Sequence, residues 1–149
     1  MYNFGMSKFR FQIPITVRYG DLDPQWHVNN ARFLSYSEQA RSQYLIKLGL
    51  FDGFSFWNLP LIVGDIHCRY LVPIEPNTTV LVSMGVTKIG RKTLTIETEI
   101  TGENGSPIYA RLETIMVAYD YHTKKAEPVS DKIRARISEF EGIEFKKAE

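Results

Sequence analysis

The chain has 149 residues, 44% of them hydrophobic and 23% charged, which is enough for one globular domain with a sizeable core and too few for two ordinary ones. A formal net charge of +1 supplies no general field for nucleic acid or a membrane surface, so any anionic ligand must be met by a local cluster of cations. The opening MYNFGMSKFRF lacks the apolar core of a signal peptide, no stretch reaches membrane-spanning length, and Cys68 has no cysteine to pair with; the expected compartment is a reducing cytoplasm.

From Phe9 to Tyr19 the odd positions Phe9, Phe11, Ile13, Ile15, Val17 and Tyr19 are apolar and most even ones polar, the alternation of a half-buried strand. Pro14 cannot donate to a ladder, which places this strand at an edge or gives it a bulge. Beyond Gly20 comes DLDPQWHVNN, then a helical pattern: Phe33, Tyr36, Ala40, Tyr44 and Leu48 share one stripe, with Ser35, Gln39 and Ser42 off it. Asn29 or Asn30 suits the N-cap and Gly49 the stop, so the helix is expected over about residues 31–48. The segment LFDGFSFWNLP has neither period and reads as a loop or a short irregular helix, its aromatics either lining a pocket for an apolar group or covering the core.

Strand patterns follow. Ile62, Ile66, Cys68, Tyr70 and Val72 alternate with Asp65, His67 and Arg69; Val80, Val82, Met84 and Val86 run to a turn at Gly90; Leu94, Ile96 and Ile100 run to a hairpin turn at Asn104-Gly105. In the last strand, from Pro107 to Tyr121, the apolar parity shifts near Thr114, from Ala110 and Leu112 to Ile115 and Val117, which predicts a bulge or a change of buried face. Residues 129–140 have modest helical character. No repeat, linker or low-complexity run interrupts the chain, so a single domain over 1–149 is expected: strand, long helix, then four strands in a meander, α+β by periodicity alone.

The run RYGDLDPQWHVNNARFLSYSEQAR resembles the signature of the hotdog-fold acyl-thioester hydrolases of the 4-hydroxybenzoyl-CoA thioesterase type. The His-Val-Asn-Asn block is also similar to that of plant acyl-ACP thioesterases. Trp26 stands where many relatives have glycine. The resemblance implies an antiparallel sheet wrapped around one long central helix, hydrolysis of acyl-CoA, no cofactor beyond the coenzyme A of the substrate, and a homodimer or homotetramer with active sites between subunits. An open sheet edge and a part-covered face independently favour pairing with a second copy.

Thioester hydrolysis needs an activated water or a nucleophile, and donors aimed at the developing oxyanion. Asp23 matches the second aspartate of the family motif and is the expected base or nucleophile; the competing structural reading is an Asx turn, which is preferred for Asp21. The helix start supplies the donors, as unpaired amides of Asn30 and Ala31 at the positive end of the helix dipole. His27 either orients the carboxylate, a water or the substrate, or serves the turn. Asn29 and Asn30 either contact the substrate or cap the helix. Glu38, roughly 12 Å along the helix from Asn30, either serves a site or is a solvated carboxylate paired with Arg41. Trp26 lies in the motif loop and is placed with the substrate-binding residues. Lys88, Arg91 and Lys92, at the Gly90 turn, match basic positions in related thioesterases and would hold the phosphates of coenzyme A; a solvated turn looks the same in sequence.

Other chemistries find less support. GFSFW lacks the closing glycine of a nucleophile elbow, and no glycine-rich phosphate loop is present. Cys68 falls on the apolar parity of its strand, as a buried structural thiol would. His27, His67 and His122 have no ligand spacing, so no metal is expected. Two alternatives keep the fold: an acyl-thioester binding protein without turnover, and an acyl-ACP thioesterase.

Overall fold

The elements, in chain order, are β1 (Phe11–Thr16), α1 (Asn30–Lys47), β2 (Leu61–Tyr70), β3 (Thr79–Ile89), β4 (Thr93–Gly102), β5 (Ile108–Asp120), the two-residue β6 (Lys125–Ala126) and α2 (Asp131–Glu141), with single 3-10 turns at Tyr19–Asp21 and Phe56–Asn58. They come from a computed structural model, which describes residues 8–147. Residues 1–7, the greater part of the opening read above for a signal peptide, lie outside the described residues.

The strands form one sheet in the order β1-β3-β4-β5-β2, with β6 on β5. β1 is at an edge, as Pro14 requires, and runs antiparallel to β3 with Phe11 opposite Met84 and Thr16 opposite Thr79. The expected four-strand meander is corrected to three strands, β3 to β5. β2 joins at the far side of β5 and forms the second edge, so the link from β2 to β3 crosses the sheet. Periodicity identifies strands but carries no information on which neighbours pair.

The burial patterns correct three further expectations. Tyr19, on the apolar parity of β1, is 82% exposed because the strand ends at Thr16 and the chain turns into the 3-10 segment. In β5 the buried face is even-numbered throughout (Ala110, Leu112, Thr114, Met116, Ala118), with Ile115 and Val117 half-buried on the other face; no change of face occurs, since a threonine holds the inner position. Cys68 is half-buried rather than buried, as expected of an edge strand whose residues 63–65 are exposed.

By internal contacts the chain divides into two units. The first comprises the described residues up to Arg41, Cys68–Met84 and Thr98–Leu112. It contains β1 on the first half of β3, the motif loop, and the start of α1. Its hairpin between β4 and β5 is longer than a two-residue turn: Gly105 N–H closes a turn on the Gly102 carbonyl (2.9 Å) with φ +82° at Gly105.

The second unit comprises Ser42–His67, Gly85–Glu97 and Glu113 onward. Here α1 ends at Gly49 (φ +72°), whose amide bonds the Ile46 carbonyl. α2 starts at a Ser130 cap that accepts from Ile133 N and ends at left-handed Gly142. Tyr44 Oη donates to Glu141 Oε1 at 2.5 Å and accepts from Val86 N at 3.2 Å, and Gly85 leaves the room Glu141 occupies, since a Cβ there would lie 3.1 Å from Oε1. Buried Arg134 donates to the Gly90 carbonyl at 3.2 Å and so fastens α2 to the β3–β4 turn.

The stripe Phe33, Tyr36, Ala40, Tyr44 and Leu48 is buried as its spacing predicts. Ser37 and Arg41 are buried on the same helix, with Ser37 Oγ and Arg41 Nη1 unpaired among the described residues.

Candidate active site

The loop from Asp21 to Asn29 is built by turn chemistry. Leu22 and Val28 form a bridge, Asp23 N donates to the His27 carbonyl (2.9 Å), and Trp26 N donates to the Asp23 carbonyl (2.9 Å). Pro24 sits at the second position of the four-residue turn, where its fixed φ is favourable. The residue after such a turn must be left-handed for the strands to re-pair, and Trp26 has φ +65°. This position suits the glycine of many relatives; tryptophan holds the same backbone at a cost of about 1–2 kcal/mol. Its indole is 56% exposed and meets the Tyr19 ring edge-on at 6.0 Å.

The turn brings Asp23 and His27 side by side, and the next residues start α1. A cleft of about 260 Å³ opens there, with Asp23, Gln25, His27 and Asn30 as its polar lining and Val28, Phe33, Tyr70, Leu71, Val72 and Pro73 as its apolar wall. Asp23 is half-buried. Its Oδ1 accepts from Gln25 N at 2.9 Å, an Asx turn, while Oδ2 has no partner among the described residues. His27 Nε2 lies 3.3 Å from Glu75 Oε1, so a carboxylate from the loop before β3 orients the ring.

At the helix start, Asn29 Oδ1 accepts from Ala31 N at 2.9 Å, so Asn29 is the cap. This corrects the expectation of two open amides: Ala31 N–H is satisfied, and Asn30 N–H makes no hydrogen bond among the described residues. Asn30 is exposed and lines the cleft.

Asp21 is also corrected. It makes no Asx turn but is buried, accepting from Arg18 N (2.9 Å) and Tyr36 Oη (2.7 Å), with Arg18 and Arg32 guanidinium nitrogens 3.6 and 3.8 Å from Oδ1. Burial pushes its carboxyl pKa up, but the two hydrogen bonds and the two guanidiniums outweigh that and hold it below the ordinary value.

Glu38 is exposed and forms no ion pair among the described residues; the pairing with Arg41 reduces to a charge effect on a guanidinium whose pKa burial lowers. Lys88, Arg91 and Lys92 are exposed at the β3–β4 turn in the second unit and are not in the lining of the cleft. Three groups escaped the sequence reading. Phe33 had a signal, being one helical turn from Asn30. Tyr70 and Glu75 had none, because they reach the site from elements 40 or more residues away.

Comparison with known proteins places this architecture. Residues 17–137 match the thioesterase-like superfamily. The chain belongs to that family. It is 33% identical to a thioesterase from Thermus thermophilus, crystallised with coenzyme A and Zn, over 92% of this chain and 98% of that one, with a TM-score of 0.80. A predicted thioesterase from Bacillus stearothermophilus is 26% identical over 93% of this chain and 98% of its own, with a TM-score of 0.79. The long-chain acyl-CoA thioesterase FadM of Escherichia coli (strain K12) is 27% identical over 128 residues, 86% of this chain and 97% of FadM. The fold is thus α+β of the hotdog class. Among the described residues no three His, Cys, Asp or Glu side chains gather as they would around a metal ion, and no helix is long and apolar enough to cross a membrane.

Proposed function

We propose that this thioesterase-family protein hydrolyses acyl-CoA thioesters to a free carboxylic acid and coenzyme A. One observation carries the site assignment: Asp23, with one uncommitted carboxylate oxygen, and Asn30, with its open amide, line the same cleft. A thioester seated with its carbonyl oxygen on Asn30 N–H would gain a donor where negative charge develops, reinforced by the helix dipole. Asp23 then takes the proton of an attacking water, or attacks the carbonyl carbon itself. In either case collapse of the tetrahedral adduct breaks the C–S bond and releases the coenzyme A thiolate; after direct attack the acyl group is left on Asp23 as an anhydride, which a water molecule then hydrolyses to the free acid and the regenerated carboxylate. His27, oriented by Glu75, contacts the water or the acyl group. Asn29 shapes the helix start through its cap, and Trp26 stands at the loop tip. Glu38 is kept as an exposed charge on α1 outside the lining of the cleft, and Lys88, Arg91 and Lys92 as an exposed cation cluster suited to phosphates.

A homodimer or homotetramer fits the unpaired edge of β2 and the exposed Val63, Leu71 and Val72. A cytoplasmic location fits the single cysteine.

The test is thiol release from a panel of acyl-CoAs, with acyl-ACP in parallel. Turnover with at least one acyl-CoA, reduced on the order of 10²-fold or more in Asp23→Asn with an unchanged melting temperature, is the expected result. Ligand-induced stabilisation without thiol release would instead make the protein a binder.

A further inference from the structure

Tyr70 ends β2, and 40 residues separate it from the residue its hydroxyl meets: Tyr70 Oη donates to the Asn30 carbonyl oxygen at 3.0 Å. Its ring packs edge-on against Phe33, with centroids 5.0 Å apart and planes at 82°. The residue is 44% exposed and lines the cleft that Asp23 and Asn30 share.

The peptide between Asn30 and Ala31 is therefore held at both ends. Tyr70 grips its carbonyl from the sheet edge, and Asn29 Oδ1 grips its N–H from the loop. Directly before this clamped peptide stands the open Asn30 amide. The Asn29 carbonyl, in the same peptide plane as the Asn30 N–H, accepts from Arg32 N at 2.9 Å, but that bond lies within the first turn, and helix ends fray; Tyr70 adds a hold from outside the helix. An oxyanion donor acts by being in place before charge develops, so that no reorganisation is needed at the transition state. A phenylalanine would supply the same ring packing, and a half-exposed hydroxyl would be solvated without cost. The hydroxyl instead engages Asn30, whose own amide is open.

We infer that Tyr70 is a positioning residue of the hydrolytic site: its hydroxyl, by holding the Asn30 carbonyl, keeps the Asn30 N–H aimed at the thioester oxygen. The inference rests on the hydrolase reading above and adds a group to it that never touches the reacting atoms.

The test is Tyr70→Phe in the full chain, assayed on the best acyl-CoA of the panel and by binding of its non-hydrolysable thioether analogue. The expected result is a kcat lowered about tenfold, with KM, the Kd of the analogue and the melting temperature all close to the parent's. Such a split marks an interaction felt only in the transition state. A kcat within twofold of the parent's overturns the inference. So does a fall in kcat matched by weaker analogue binding or a lower melting temperature, which would make Tyr70 a wall of the cleft and no more. Tyr70→Ala, which also removes the ring, is expected to raise KM as well. The parent and Asp23→Asn, run alongside, separate the two readings: no thiol release by the parent sinks the hydrolase assignment, normal turnover by Asp23→Asn sinks the role given to Asp23, and an inactive Asp23→Asn beside a fully active Tyr70→Phe sinks only the role of Tyr70.

Discussion

Tyr36 Oη donates to Asp21 Oδ2 at 2.7 Å, and this contact, spanning 15 residues, ties the second turn of α1 to the segment that follows β1, inside the core. Asp23, two positions on, makes only a local turn bond. The two aspartates of one motif thus have separate tasks, one holding the loop and the other facing the cleft. Tyr36→Phe removes a charge-assisted bond while keeping the ring, and should lower stability by about 1.5–3 kcal/mol. Asp21→Asn removes the negative charge from the same bond and from beside the two solvated guanidiniums of Arg18 and Arg32, and should cost about 1.5–3 kcal/mol. Urea unfolding of both variants measures this; losses under about 0.5 kcal/mol, the low end for a hydrogen bond, would show the contact to be incidental.

The same residue sets an acid dependence. Asp21 has a folded pKa below the ordinary 3.8. A depressed carboxyl pKa contributes stability that is fully present above the unfolded value and is lost as pH falls through the folded one. Stability should therefore decline below about pH 5, and Asp21→Asn should decline less steeply over that range. Parallel acid titrations by circular dichroism decide it, and equal slopes would exclude Asp21 as the cause.

At Trp26 the backbone is left-handed. Trp26→Gly relieves that strain, loses an exposed ring contact and adds unfolded-state freedom. The variant should be no less stable than the parent, gaining up to about 1 kcal/mol, whereas Trp26→Val should lose about 1–2 kcal/mol because a β-branched residue tolerates positive φ worst. A glycine variant clearly less stable than the parent would mean the indole contributes more than its exposure indicates.

In the second unit, burial and the Glu141 carboxylate push the Tyr44 hydroxyl's pKa far up, so it stays protonated and donating. Tyr44→Phe leaves Glu141 without that donor and Val86 N–H without that acceptor, for a loss of about 1–3 kcal/mol. Gly85→Ala should cost about 1–2 kcal/mol by pushing Glu141 off the hydroxyl. Their double mutant should be less than additive, because both act on one contact.

The helix cap gives a smaller, cleaner number. Asn29→Ala should lower stability by about 1 kcal/mol and free the Ala31 amide beside Asn30. Hydrogen exchange at Ala31 should speed up while that at Ala40 stays slow.

Much of this protein could be read from residue order. The buried stripe of α1, the N-cap at Asn29, the stop at Gly49, the edge character of β1 and the turn at Gly90 all depend on neighbours within a few positions, where spacing and backbone preference act directly. The motif run carried the family for the same reason, and pointed to Asp23, which lines the cleft. Pairing order was not legible, because β2 leaves its sequence neighbour β3 and joins β5, a choice made by the packing of whole strands. Nor was the way Asp21 is held: the motif sets it apart from Asp23, but only the arrival of Tyr36, Arg18 and Arg32 around it makes it a buried, stable anion rather than an Asx turn. Local chemistry along the chain thus determined the elements and the motif loop. The wall of the cleft, Tyr70 on Asn30 and Glu75 on His27 were decided by tertiary structure alone, because those contacts join residues whose proximity no local preference encodes.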